Sequence, residues 1–171
     1  LHRALPVDAT VTVTLRGVLP VPQDHLIEGA GFGVDGSKLV RRRTLADFLA
    51  PNLRAVVIGL NPSLHSADLG YGFAGPSNRF WDAATAAGLV KQARAPEHAL
   101  THEVVGFTDL AKRATARAGE LTTSEYRTGL VRLEQVLTWL QPCVIIVAGL
   151  TGWRTAVGES RPTGWQPTDL G

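Results

Sequence analysis

Short apolar runs, each broken by glycine or proline, alternate along the chain with stretches of helical periodicity. Ala55-Val56-Val57-Ile58 contains no polar residue, which predicts a strand buried on both faces, and Gly59 ends the run. Leu60-Asn61-Pro62-Ser63 then stops the ladder with a proline and leaves an amide at the strand's C-terminal tip. Val104-Val105-Gly106-Phe107 reads as a second buried strand with Thr108 and Asp109 at its tip, and Cys143 to Ala148 as a third. Between these two, Thr122 and Glu125 have capping-box spacing, and Tyr126, Leu130, Leu133, Leu137 and Leu140 recur at helical intervals until Pro142. Another helix, begun by Pro76-Ser77-Asn78 and closed at Gly88, carries Phe80, Ala83, Ala84 and Ala87 on one face. Strands alternating with helices predict an α/β fold, a three-layer α/β/α sandwich around a mainly parallel central sheet. In such a sheet, ligands bind at the C-terminal tips of the strands.

The first fifty residues carry less pattern. Val11 to Leu15 is β-branched and short, as a strand would be, and Pro20, Pro22, Gly29, Gly31, Gly33 and Gly36 punctuate a long loop after it. Thr44 to Leu49 reads as a short helical lead-in ending at Pro51. Lys38 with Arg41, Arg42 and Arg43 forms a basic cluster, read as solvated surface. Residues 1–44 are therefore taken as an N-terminal extension and 45–171 as the α/β domain.

The 171 residues, 44% hydrophobic with mean hydropathy +0.06, suit one soluble globular domain. A net charge of only +2, despite a pI of about 9.0, means that any nucleic-acid contact must come from local clusters. The single Cys143 excludes an internal disulfide and a cysteine metal cluster, and it is read as a core residue in a reducing compartment. No metal spacing relates His65, His98 and His102, and His65 is read as a surface residue. The apolar run from Val144 to Leu150 is too short to span a bilayer and no signal peptide opens the chain, so a cytoplasmic (nucleoid) or nuclear place is expected. With no methionine and a Pro/Gly-rich stretch up to Gly171, the chain is read as part of a longer product.

One window concentrates the candidate chemistry. Gly70, Gly72 and Gly75 interleave with Tyr71 and Phe73, so that backbone can approach a flat ligand while an aromatic face covers it. The order GLNPS (59–63), SADLGYGF (66–73) and GPSNRFW (75–81), followed by GFTDLAKRAT (106–115), resembles the mismatch-specific uracil/thymine-DNA glycosylases of the uracil-DNA glycosylase superfamily. The likeness covers about residues 45–168 and implies that family's fold, DNA as the partner, a pyrimidine flipped from the duplex as substrate, no cofactor and action as a monomer.

It also implies roles. Asn61 stands at the family's catalytic asparagine, where a neutral amide orients water but cannot take its proton efficiently. Asp109, at a place where relatives carry Asn, Lys or Asp, is the second catalytic candidate, as base or as stabiliser of the sugar cation. An Asn capping the turn before Pro62, and an Asp acting only as an N-cap, are the structural alternatives. Phe73 is expected to stack on the base, and Gly59, Leu60, Ser66 and Asn78 to line or brace the pocket, with backbone N–H donors near Leu60, Ser66 and Phe73 stabilising the leaving anion. Ser63 (glycine in the family), Lys112, Arg113 and Thr115 are expected on the DNA face. Gly149 and Gly152 match neither a dinucleotide nor a P-loop fingerprint and are read as packing positions. The family's late wedge segment is not found before Gly171, leaving two rivals: a pocket that binds a base without cleaving it, and, more weakly, another nucleotide-acting α/β enzyme.

Overall fold

The computed structural model describes residues 1–14, 19–158 and 163–165. At its centre, β4 (Ala55–Gly59) is flanked by β5 (Val105–Asp109) and β6 (Ile145–Val147), all three parallel, in the order β5-β4-β6. The chain leaves β4 for one neighbour and returns past it to the other, so β4 is where the strand order reverses, the place at which open α/β sheets form their crevice.

Because side chains alternate along a strand, the apolar run of β4 feeds two cores. Val56 and Ile58 pack with Leu133, Leu137 and Tyr126 of α5 (Thr123–Leu140) and Ala156 of α6 (Leu150–Val157). Ala55 and Val57 pack with Trp81 and Ala84 of α3 (Phe80–Ala86) and Ala99 of α4 (Pro96–His102). Helices therefore cover both faces, the expected α/β/α arrangement. The capping box is formed: Glu125 N–H donates to Thr122 Oγ1 at 3.2 Å and Thr122 N–H to Glu125 Oε2 at 2.8 Å. Gln141, in the left-handed region, ends α5 just before Pro142. A methyl added at Gly152 would run into Leu60, in accord with a packing role for that glycine.

Several expectations need correction. The strand near Val11 is only Thr10–Val11 (β1), and Leu15 lies outside the described residues. The long loop after it instead holds α1 (Gln23–Gly29) and a hairpin of β2 (Phe32–Asp35) and β3 (Lys38–Arg41). Its turn is Gly36-Ser37, with Gly36 at φ +58°, a conformation that glycine adopts without strain. β1 and β2 pair with β3 to form a small antiparallel sheet. Thr44 to Leu49 is not helical: Phe48 exchanges two backbone hydrogen bonds of 2.9 Å with Phe107, and pairing with a strand edge competes with a helical turn there. Cys143 is exposed, not core, because the third strand starts two residues later at Ile145. Residues 64–69, read as loop, form α2 (Leu64–Leu69), which starts at the Ser63 cap and ends at Gly70 with φ +80°.

Among the described residues no helix is long and apolar enough to cross a membrane.

Candidate active site

The register of the sheet sets the site. Gly59 lies directly opposite Asp109 across the β4–β5 pair, at the C-terminal tip of the central strand. A methyl group at position 59 would meet Asp109 Oδ1 at 2.5 Å and the Phe73 ring at 3.5 Å, so the missing side chain is the space into which carboxylate and ring converge. Phe73 holds φ +58°, a strained backbone for an aromatic residue. Its ring stacks on Phe80 at 4.0 Å with planes 23° apart, and Phe80 in turn meets Trp81 and Phe107 edge-on. Trp81 donates its indole N–H to Gly72 O at 2.9 Å, fixing the loop that carries Phe73.

Asp109 is buried, yet no hydrogen bond reaches its carboxylate among the described residues. Burial pushes its carboxyl up to about 6; Lys112 opposes the rise, Asp47 adds to it, and Arg132 opposes it. Behind it lies a buried charge cluster. Asp47 takes Lys112 Nζ on Oδ1 and an Arg132 guanidinium nitrogen on Oδ2, both at 2.8 Å, and the Thr108 hydroxyl on Oδ1 at 2.7 Å. Arg132, fully buried in α5, also donates to Thr108 Oγ1 at 3.2 Å and to the Asp109 carbonyl at 2.7 Å. Burial pushes the Asp47 carboxyl up, but the charges of Lys112 and Arg132 and the hydrogen bonds from Lys112 and Thr108 outweigh it and hold it below the usual carboxylate range.

Asn61 is locked differently. Its amide nitrogen donates to Thr115 Oγ1 at 2.8 Å, Arg113 O at 3.0 Å and Pro62 O at 3.1 Å. Two of these acceptors are carbonyls, so only the NH₂ end can face them, and the amide oxygen is turned away from the 113–115 loop. Asn61 thus presents an acceptor. Asp109, and not Asn61, shares the Gly59 position with Phe73.

The other expected residues fall into two groups. Leu60 is half-buried against Gly149 and Gly152, and Ser66 is buried, its Oγ accepting from Ala74 N–H at 3.3 Å within the pocket loop. Ser66 N–H is already taken by the Ser63 hydroxyl at 3.0 Å, so it is not a free donor for a leaving base. Asn78, two residues ahead of α3, accepts from Phe80 N–H at 2.9 Å, tying the pocket loop to the start of that helix. The expected DNA face is largely turned inward. Lys112 is buried on Asp47, Thr115 is buried on Asn61, and the Ser63 side chain caps α2. Arg113 alone of the four is exposed, and it pairs with Glu125 at 2.5 Å. His65 is exposed on α2.

Asp47, Thr108 and Arg132 escape sequence reasoning. The one signal is Arg132 itself, a charge four residues before Val136 on the buried stripe of α5. A cleft of about 200 Å³ opens at the C-terminal end of α2, lined by Arg41, Thr44, Leu45, Phe48, Ala67 and Gly70 among others, and includes none of Asn61, Phe73 and Asp109.

A family model described as the uracil DNA glycosylase superfamily matches residues 46–168, well over half of the chain. The chain belongs to the uracil DNA glycosylase superfamily. Members of this superfamily are DNA glycosylases, which makes hydrolysis of uracil from DNA the general chemistry to set against the site, and DNA the partner.

Proposed function

We propose that the chain is a monofunctional glycosylase that removes uracil mispaired with guanine, with thymine or alkylated cytosine as poorer substrates, acting as a monomer on a pyrimidine flipped from the duplex. Extrusion costs a few kcal/mol, least for a weakly paired base, so a mispair is favoured before the pocket reads it. Phe73, backed by Phe80, supplies the aromatic face on which the base stacks.

In this mechanism the C1′–N1 bond breaks with its electron pair leaving on uracil N1, and the backbone N–H groups of Leu60 and Phe73 stabilise the developing anion. Water adds to C1′ and gives its proton to Asp109, while the Asn61 amide oxygen accepts the water's other hydrogen and orients it. With its carboxyl near 6, Asp109 is mostly ionised at neutral pH yet basic enough to take the proton. The monofunctional assignment is supported by Lys112: an ammonium buried on Asp47 cannot serve as the free amine that an imine-forming lyase needs.

The single observation that carries this mechanism is the convergence of the Asp109 carboxylate and the Phe73 ring on Gly59 at the tip of the central strand. The decisive assay is a labelled duplex with a central G·U pair, treated with alkali after incubation. Strand scission is expected for the wild type, a loss of at least about 10²-fold for Asp109→Asn, and a smaller loss for Asn61→Ala, in line with 10²–10⁴-fold for general acid–base groups. If Asp109→Asn cleaves normally while Asn61→Ala is dead, the roles are reversed. Tight binding with no scission in any form makes the chain a base-binding module.

A further inference from the structure

The charge cluster beneath the site is costly, and its cost asks for a use. Asp47, Lys112 and Arg132 bring three ionised side chains out of water, and ion pairs of this kind are often no more stabilising than apolar packing of the same volume. It is also incompletely satisfied, since Arg132 Nε is buried without a hydrogen-bond partner and its nearest carboxylate oxygen there, on Glu28, is 4.0 Å away. Yet it is closely built. The N-terminal segment reaches over it: Asp47 N–H donates to Gly29 O at 2.7 Å, and the Thr44 hydroxyl donates to the Lys112 carbonyl. Gly29 lies so close that a methyl there would meet Asp47 Oδ2 at 2.6 Å.

The cluster is tied to Asp109 on three sides. Lys112 follows it by three residues on the strand exit, Arg132 from α5 grips its carbonyl, and Thr108, the residue before it, is held between Asp47 and Arg132. The other groups around the carboxylate, Gly59 on β4 and Phe73 on the pocket loop, carry no charge. The charges facing Asp109 are therefore Lys112, Arg132 and Asp47, two cations and one anion.

We propose that Asp47, Lys112 and Arg132 are positioning residues for Asp109: they never touch substrate, but fix the backbone that carries its carboxylate at the strand tip and balance the field in which it exchanges its proton. Asp47 has a dual part, anchoring both cations while screening their pull on Asp109. Without Asp47 the cations act on Asp109 unopposed; without Lys112 the like charge of Asp47 dominates. This role deepens the glycosylase mechanism and rests on it for its purpose, though not for its test.

The test is a carbon-13 NMR titration of the Asp109 side-chain carboxyl in the full chain, the resonance being assigned by its loss in Asp109→Asn. The wild type is expected to titrate near 6. Lys112→Gln moves the midpoint up and Asp47→Asn moves it down, each by about 1 pH unit, the lower end of what a charge within a few ångströms does. Lys112→Arg, which keeps the charge, restores the wild-type midpoint to within a few tenths. Opposite shifts are not what loss of packing produces, and a midpoint unmoved by both variants, or moved the same way by both, overturns the proposal. If Asp47→Asn does not fold, the Lys112→Gln and Lys112→Arg pair decides alone. In parallel, the acidic limb of kcat/KM for uracil release should track the same midpoints. Midpoints that shift as stated in a protein that releases no uracil uphold the cluster's role and sink the glycosylase mechanism; uracil release with fixed midpoints does the reverse.

Discussion

At the scale of single residues, the site depends on an absence, the side chain that Gly59 lacks. Gly59→Ala leaves the strand's backbone acceptable but drives a methyl into Asp109 Oδ1 at 2.5 Å. A displacement of about 1 Å at a reacting group costs on the order of 10²-fold in rate, so uracil release should fall by that much while a circular dichroism melt still shows a cooperative fold. Asp109 itself trades stability for chemistry. Its carboxyl is raised from about 3.9 in an unfolded chain to about 6 in the fold. The folded state then holds the proton more tightly, so the stabilisation is complete below the unfolded value and is lost as pH rises through 6. Asp109→Asn removes that penalty and should raise stability at pH 7.5 by up to about 3 kcal/mol, at 1.36 kcal/mol per pH unit, measured by urea denaturation. A variant no more stable than wild type at pH 7.5, and equally so at pH 4, would mean that the carboxyl is not raised.

Among the elements, the parallel strands and α5 were legible because their signals are local: an uninterrupted apolar run, a capping box, a helical stripe and a proline stop. Thr122→Ala should cost about 1 kcal/mol by removing the cap, seen as a lower midpoint in a thermal melt. The failures are equally physical. Thr44 to Leu49 has helical letters, yet Phe48 finds its hydrogen bonds on Phe107, a partner 59 positions away that no local window contains. Lys112 and Thr115 look like surface residues in a polar loop because polarity was taken to mean exposure. Their partners, Asp47 and Asn61, lie 65 and 54 residues earlier, and only the folded sheet brings them together. The tip of the central strand, the loop carrying Phe73 and the places of Asn61 and Asp109 could be read in advance; the residues packed behind Asp109 could not, because they come from three separate stretches of the chain, around Asp47, at the exit of β5 and within α5.

Across the whole molecule, the N-terminal segment proves to be bound into the structure around that support, through Gly29, Thr44 and the packing of Val21 against Val136 and Leu140. Gly29→Ala should therefore destabilise the entire domain, by roughly 1–3 kcal/mol as overpacking does, in a single cooperative transition and not by local fraying; a loss confined to the segment in hydrogen exchange would show it to be an appendage. One peripheral detail also has practical value. Cys143 is the sequence's sole thiol, exposed, two residues ahead of β6, hence toward the end of the parallel strands away from Asn61 and Asp109. A maleimide fluorophore would attach there at one defined point and leave the strand tips unencumbered, so that engagement of an oligonucleotide can be followed by anisotropy in the otherwise native chain.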